Sequence, residues 1–332
     1  MRSDWLPSES FSRSSGVFFR ATHRDFDQQA ALYKNIDMRY RQLTRGRFDG
    51  ALFSAPLGRS AIHMEYCSQS IEKEYFLRSN SFSISLLMDE LPSLVRGQSY
   101  TNEHILVLPP NGENFCVTPP GCTLLIITVA ADVLLQSLAL IPQVADWFRS
   151  VGTDGQCIQS LWLSNRLKAD AFMALESARG AAASNRLRAV DENMIFSVAN
   201  SFSMEWMKHQ SITQYQISPA YERFRRERHR LINQVIAEQT ASLNLPLLAG
   251  SKRSVEQAFA THVQLGPLAY SRLLRLHQAR HHLRDRSRLN DSTGDIASDT
   301  GFWDRSRFSD YYRKQFGELP SETRQKYESS LR

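Results

Sequence analysis

The chain has 332 residues, 42% hydrophobic and 22% charged, with a formal net charge of +6. These values are ordinary for a globular protein, and the length exceeds one compact domain, so two domains are expected. No run approaches the roughly 18 apolar residues of a membrane helix, and the polar opening "MRSDWLPSESFSRSSG" lacks the apolar core of an export signal, so a cytoplasmic protein is expected.

Charge is unevenly spread. Residues 218–332 carry 20 Lys+Arg against 13 Asp+Glu, a net of +7, while residues 1–217 carry 20 against 21. An excess confined to the last third is an expected footprint of nucleic-acid binding, although a solvated basic surface gives the same sum. The four cysteines, Cys67, Cys116, Cys122 and Cys157, form no C-x-x-C pair and have no neighbouring His cluster. They read as free buried thiols rather than zinc ligands.

In chain order, residues 1–25 read as a lead-in and Asp25–Leu43 as an amphipathic helix. From Phe48 to Val129, short apolar runs such as "SFSISLLM", "HILVLPP" and "TLLIITV" alternate with Gly, Pro and Asn, which predicts a β-barrel or sandwich. The loop "LPPNGENF" (Leu108–Phe115) lies where it could border a ligand cavity, or it is a plain connection. Helical spacing follows over Asp132–Val151, with Pro142 as a kink or break, and then over two longer helices ending near His209. The polar stretch from Gln210 to Arg230 reads as a linker that ends in a strongly basic helix start.

The last hundred residues are helical throughout. Ser251 is placed to cap a helix with Val255 and Phe259 on one face. A long helix carries Leu273, Leu276, Ala279, Arg280 and Leu283. Ser292 or Thr293 then caps a short helix, with Asp295 suiting its positive end. Ile296 and Ala297 face inward, and Gly301 makes the turn. Asp304 caps a final helix with a Phe308–Tyr312–Phe316 stripe, and Gly317 ends it. These are two helix-turn-helix units joined by one long helix, an arrangement that places the second helix of each unit in a DNA major groove.

"YSRLLRLHQAR" (Tyr270–Arg280), "DIASDTGFWDRSRFSDYYRKQFGELP" (Asp295–Pro320) and "SETR" (Ser321–Arg324) resemble the AraC/XylS family of transcription regulators. "RYRQLTRGRFDGALFSAPL" and the strands after it resemble the branch in which a cupin-like β domain precedes the DNA-binding domain. The resemblance implies an α+β two-domain protein: an N-terminal cupin-like β-barrel with flanking helices over 1–212, a linker over 213–229, and an all-α double helix-turn-helix over 230–332. It implies double-stranded DNA as partner, an N-terminal domain that senses a small-molecule effector or forms a homodimer, or both, and contact with RNA polymerase, with no cofactor.

The DNA-facing residues expected are Arg253, Ser254 and Gln257 in the first unit, and Arg305, Ser306, Arg307, Ser309, Arg313 and Lys314 in the second. An arginine near the start of a recognition helix can pair bidentately with guanine, and serine can bond base edges or phosphate. Arg307, Arg313 and Lys314 suit phosphate, which gives affinity without sequence information. The first unit departs from the pattern: Ala249 stands where a turn glycine is usual, Pro246 interrupts its first helix, and Glu256 faces the DNA side.

Other chemistry finds little support. A metal-dependent cupin enzyme needs two or three His and a carboxylate at one metal. The β region offers His63, His104 and Glu65 without an H-x-H pair. His262 and "HHLRD" (His281–Asp285) read as helix surface beside DNA. G-x-S-x-G, P-loop and G-x-G-x-x-G motifs do not occur, so an enzyme is not expected. The alternative from another class is a sensor whose helical C-terminus binds a protein rather than DNA.

Overall fold

The structure, a computed structural model, describes residues 19–33, 36–95, 97–179, 184–209, 219–237 and 252–331. The chain divides into two bodies. The N-terminal body comprises Met1–Tyr40 and Asp49–Gln216, and the C-terminal body comprises Arg41–Phe48 and Ile217–Arg332.

The N-terminal body opens with β1 (Phe19–His23), α1 (Phe26–Ala30) and β2 (Ile36–Gln42), whose last two residues pass into the other body. A run of strands follows: β3 (Gly50–Pro56), β4 (Ser60–Cys67), β5 (Ile71–Leu77), β6 (Ser81–Leu87), β7 (Ser93–Val95), β8 (Gln98–Tyr100), β9 (His104–Leu108), β10 (Glu113–Thr118) and β11 (Cys122–Ala130). Next come α2 (Ala131–Ser137), α3 (Pro142–Ser150), β12 (Gln156–Gln159), α4 (Leu161–Arg179) and α5 (Ser184–His209).

The expected helix over Asp25–Leu43 is not formed. Asp25 does cap a helix, accepting from the Asp27 amide at 2.9 Å, but that helix ends at Ala30. Ile36–Gln42 is a strand beside β5 instead, with Ile36 and Tyr40 buried. Sheet pairing and burial of β-branched and aromatic side chains outweigh a helical period in so short a window. Pro142 does separate two helices, standing at the first turn of α3.

The strands form a seven-stranded sheet, β1-β3-β4-β11-β6-β9-β12, and a five-stranded sheet, β2-β5-β10-β7-β8. Among the described residues they do not close into the cupin-like barrel that the resemblance implied. The larger sheet is buried on both faces, and its strands show this position by position. Leu106, Leu108, Leu124 and Ile126 face the smaller sheet, while Ile105, Val107, Leu125 and Ile127 join Phe148, Leu163, Val198 and Phe202 of the helices. This is why β9 and β11 read as unbroken apolar runs rather than alternating ones.

Between the sheets lies a buried ion pair. Glu65 of β4 accepts from Lys73 Nζ of β5, from the Tyr40 hydroxyl and from Gln29 Nε2 at 3.0 Å. The residue weighed as a metal ligand is therefore committed to structure. His63, bonded to Ser54 Oγ at 2.8 Å, is half-buried, and desolvation pushes its pKa down to about 4. Among the described residues no group of three His, Cys, Asp or Glu is placed to hold a metal. Cys67, Cys116 and Cys122 are free and buried, and burial raises all three thiols.

The C-terminal body contains α6 (Pro219–Ala237), α7 (Lys252–Val263), α8 (Pro267–Leu283), α9 (Thr293–Asp299), α10 (Arg305–Phe316) and α11 (Pro320–Ser330). Residues 219–229 of the expected linker are thus helical. The linker's remaining residues, and Pro246, Ala249 and Ser251, lie outside the described residues. Tyr221, Phe224, Arg228 and Leu231 of α6 are buried, and Phe224 meets the Phe259 ring of α7 edge-on at 5.1 Å. No helix among the described residues is long and apolar enough to cross a membrane.

Replacing Glu65 by Leu should strand Lys73 in an apolar interior and cost about 3–5 kcal/mol. The double variant Glu65→Leu/Lys73→Met should recover much of that loss, as read by denaturant unfolding of the N-terminal body.

Candidate nucleic-acid interface

The second helix-turn-helix is built by short-range chemistry. Ser292 Oγ accepts from the Asp295 amide at 3.1 Å while the Asp295 carboxylate accepts from the Ser292 amide at 3.0 Å, a reciprocal cap on α9. The Ser292 hydroxyl, donating to the Asp295 carboxylate at 2.7 Å, and then the Ser292 amide hold that carboxyl below its ordinary pKa. The chain then turns at Gly301, whose φ of 80° lies in the left-handed region. A Cβ there would also meet the Arg275 guanidinium, at 2.2 Å from Nη1.

Asp304 caps α10 by accepting from the amides of Ser306 and Arg307, both at 3.0 Å. Phe308, Tyr312 and Phe316 are buried as the spacing predicts, with Tyr312 and Phe316 ring centroids 4.7 Å apart. Burial pushes the Tyr312 hydroxyl up to about 12, and it bonds Thr323 Oγ1 at 2.9 Å. Thr323 donates in turn to Glu318, which also accepts from Arg280 of α8 at 2.7 Å. Burial would raise the Glu318 carboxyl, but the bonds from Lys326, Thr323 and Arg280 hold it below its ordinary value.

With that stripe and Gln315 inward, the basic residues of α10 are set outward. Arg305, Ser306, Arg307, Arg313 and Lys314 are exposed and Ser309 is half-buried. They are not equally available. Arg307 pairs with Asp304 at 3.4 Å, and Lys314 with Asp310 at 2.8 Å. Both are exposed pairs of the kind that contribute little. Arg313 makes no ion pair among the described residues. Arg305 folds back over α9, so that a Cβ on Gly294 would lie 2.6 Å from its Cζ, and it is close enough to Asp295 to lower that carboxyl further. To reach another partner, Arg305 must leave this position.

On α7, Arg253, Glu256 and Gln257 are exposed and Ser254 is half-buried. Gln257 Nε2 donates to Thr261 Oγ1 at 3.5 Å. The expected surface residue His262 is buried instead. It packs against Tyr221 and Phe224 of α6, with ring centroids 5.5 and 4.9 Å away, and burial lowers its pKa. A helix from the preceding segment covers that side of α7, which spacing within α7 alone did not reveal.

A helix-turn-helix domain model matches residues 247–326. The transcriptional activator RhaS of Escherichia fergusonii is 40% identical over 81 residues, 24% of this chain and 28% of that protein. The XylDLEGF operon transcriptional activator of Pseudomonas putida is 41% identical over 73 residues, 22% of this chain and 23% of its own. Over residues 247–326 the chain carries a helix-turn-helix domain similar to those of these activators. It spans only about a quarter of the length of the relatives it matches. Among solved structures, the AraC-like transcriptional activator CuxR aligns over 79% of this chain and 95% of its own, at 16% identity and a TM-score of 0.40.

Sequence reading missed one component of the C-terminal body. Arg41–Phe48, more than 160 residues upstream of α6, belongs to it. The local signal was "RQLTRGRF", three arginines and a glycine with no acid, read only as the approach to the β domain.

Replacing Asp304 by Ala should cost the C-terminal body about 1 kcal/mol through loss of the α10 cap. Thermal unfolding should show a lower midpoint, whereas Asp304→Asn should retain most of the stability.

Proposed function

We propose that the protein is a sequence-specific DNA-binding transcription regulator of bacterial promoters. The observation that carries this reading is the outward face of α10, where Arg305, Ser306, Arg307, Arg313 and Lys314 stand exposed on a helix capped and anchored from behind. A helix in this position suits the major groove. The basic balance of the same segment supports phosphate attraction. Arg305, Ser306 and Ser309 are assigned to base edges, and Arg307, Arg313 and Lys314 to phosphates. Arg253, Ser254 and Gln257 are the corresponding residues of α7, with Glu256 weakening that unit's grip. This reading is of a cytoplasmic regulator without catalytic activity, acting through residues 230–332 and contacting RNA polymerase.

The N-terminal body is proposed to carry the control. A cavity between its two sheets is lined by Met38, Tyr75, Val95, Leu106 and Leu124, with Lys73 and Glu65 in its wall. Such a lining suits a small, largely apolar effector with one polar end. The loop Leu108–Phe115 does not line it.

A homodimer through the same body is also proposed. Of the bulky apolar residues of α3 and α5, Trp147, Phe148 and Phe202 are buried within the chain. Phe196 remains 66% exposed and Met207 61% exposed, with Met204 along the same side of α5. Residues spaced 8 and 11 apart share one helix face, and an apolar stripe of this kind fits a second copy.

Gel-shift titrations over a salt series test DNA binding: a complex insensitive to salt would favour a protein partner instead. Replacing Arg305 by Ala should cost about 1–3 kcal/mol of binding and relax preference at one base pair. Replacing Arg313 by Ala should weaken all sequences alike and lower the salt slope by about one unit. Full preference retained by the Arg305 variant would overturn its assignment to a base.

Light scattering should give twice the 38.0 kDa chain mass, falling to one chain in Phe196→Asp. The operator should then hold repeated half-sites, with each subunit's two recognition helices entering grooves about 34 Å apart. A concentration-independent single-chain mass for the unaltered protein would refute the dimer.

A further inference from the structure

The last turn of any helix leaves carbonyl groups without partners inside the helix. In α10 these belong to the residues around Arg313 and Lys314, the cations assigned above to phosphate. Gly317, with a left-handed φ of 69°, returns its amide to the Arg313 carbonyl at 2.8 Å. The next two carbonyls are met by the distant segment Arg41–Phe48. The Gly46 amide lies 3.1 Å from the carbonyl oxygens of both Lys314 and Gln315.

The contact is reciprocal and buried. Gln42 Nε2 donates to the Gln315 carbonyl at 2.8 Å, and Gln315 Nε2 donates to the Gln42 carbonyl at 2.8 Å. Gln42 Nε2, with two hydrogens shared among three acceptors, also lies 2.9 and 2.6 Å from the Thr44 and Gly46 carbonyls of the segment's own turn. His277 of α8 lies 3.2 Å from the Gln42 carbonyl. Gln42 and Gln315 are both buried, as are Leu43 and Phe48. The fit leaves no room at Gly317, where a Cβ would sit 2.7 Å from the Arg47 amide nitrogen.

The segment touches the backbone and the buried side of α10 and leaves Arg305, Arg313 and Lys314 exposed. It supports the helix rather than covering its outward face. It also brings Arg41, Arg45 and Arg47 without an acid, so the C-terminal body carries 23 Lys+Arg against 13 Asp+Glu, a net of +10. Arg45 is exposed and directly precedes Gly46, at the negative end of the helix dipole, where a cation is favoured.

We propose that Arg41–Phe48 is a working part of the DNA-binding surface: Gln42 is a positioning residue for the second recognition helix, and Arg45 contacts a DNA phosphate beside Arg313 and Lys314. This rests on the DNA-binding reading above.

The test uses the full chain, with a duplex selected by the unaltered protein from a random-sequence library and a mixed-sequence duplex as the non-specific probe. Arg45→Ala should lower the slope of log affinity against log salt by about one unit, with the unfolding midpoint unchanged. Gln42→Ala should weaken binding to the selected duplex by roughly five- to tenfold while changing non-specific binding less than twofold. An unchanged slope in Arg45→Ala would overturn the phosphate contact. Unchanged selectivity in Gln42→Ala, or tighter binding, would overturn the positioning role, the latter making the segment an inhibitor. If the unaltered chain shows no salt-dependent DNA binding, the broader reading fails instead.

Discussion

The C-terminal body depends on α8, and on how that helix buries polar side chains. Tyr270 meets the Phe259 ring of α7 edge-on, with centroids 5.4 Å apart, and accepts from Arg228 of α6 at 3.0 Å. One turn and a half further on, Arg275 fills the space that Gly301 leaves open. Arg280, a turn beyond that, pairs with Glu318 and lies over the Phe316 ring. A charge removed from water is tolerated only with such partners. The two arginines therefore fix where the α9–α10 turn and the start of α11 must sit. Exposed residues on α10 acquire defined positions because buried residues on α8 have no alternative ones.

The same logic explains which side of α10 is left for recognition. Three aromatics at spacing four occupy one face, and Asp304 and Gly317 fix the two ends. Apart from the buried Gln315, the remaining residues of the helix are exposed or half-buried. Arginine density on that face is then an electrostatic property of a rigid surface, not of a flexible tail. Within it, ion pairs with Asp304 and Asp310 hold Arg307 and Lys314 close to the helix. Arg313 is the cation left most open to an anion from outside.

Much of this was legible because the interactions are local. Caps at Ser292 and Asp304, the turns at Gly301 and Gly317, and the aromatic stripe all act within a few residues, so their spacing is written in the sequence. Errors arose where distant contacts decide. Ile36–Gln42 became a strand because β5 was available to pair with it. His262 turned inward because α6 covers it. Glu65, near His63 in sequence and so considered for a metal, is neutralised by a lysine on the opposite sheet. The large sheet's unbroken apolar runs signalled burial but not its cause, a second sheet on one face and helices on the other. Barrel and sandwich share that signature.

The course of the chain has a further meaning for how such proteins are assembled over evolutionary time. A domain encoded by one uninterrupted stretch can be cut out and joined to a new sensor in a single recombination event. Here the chain crosses between bodies after Tyr40, after Phe48 and after Gln216. A recombination at the last of these would transplant the helices and leave eight residues behind with the old partner. The recipient would inherit a helix whose terminal carbonyls had lost their donors, and only a host able to offer its own short loop at that place could restore them.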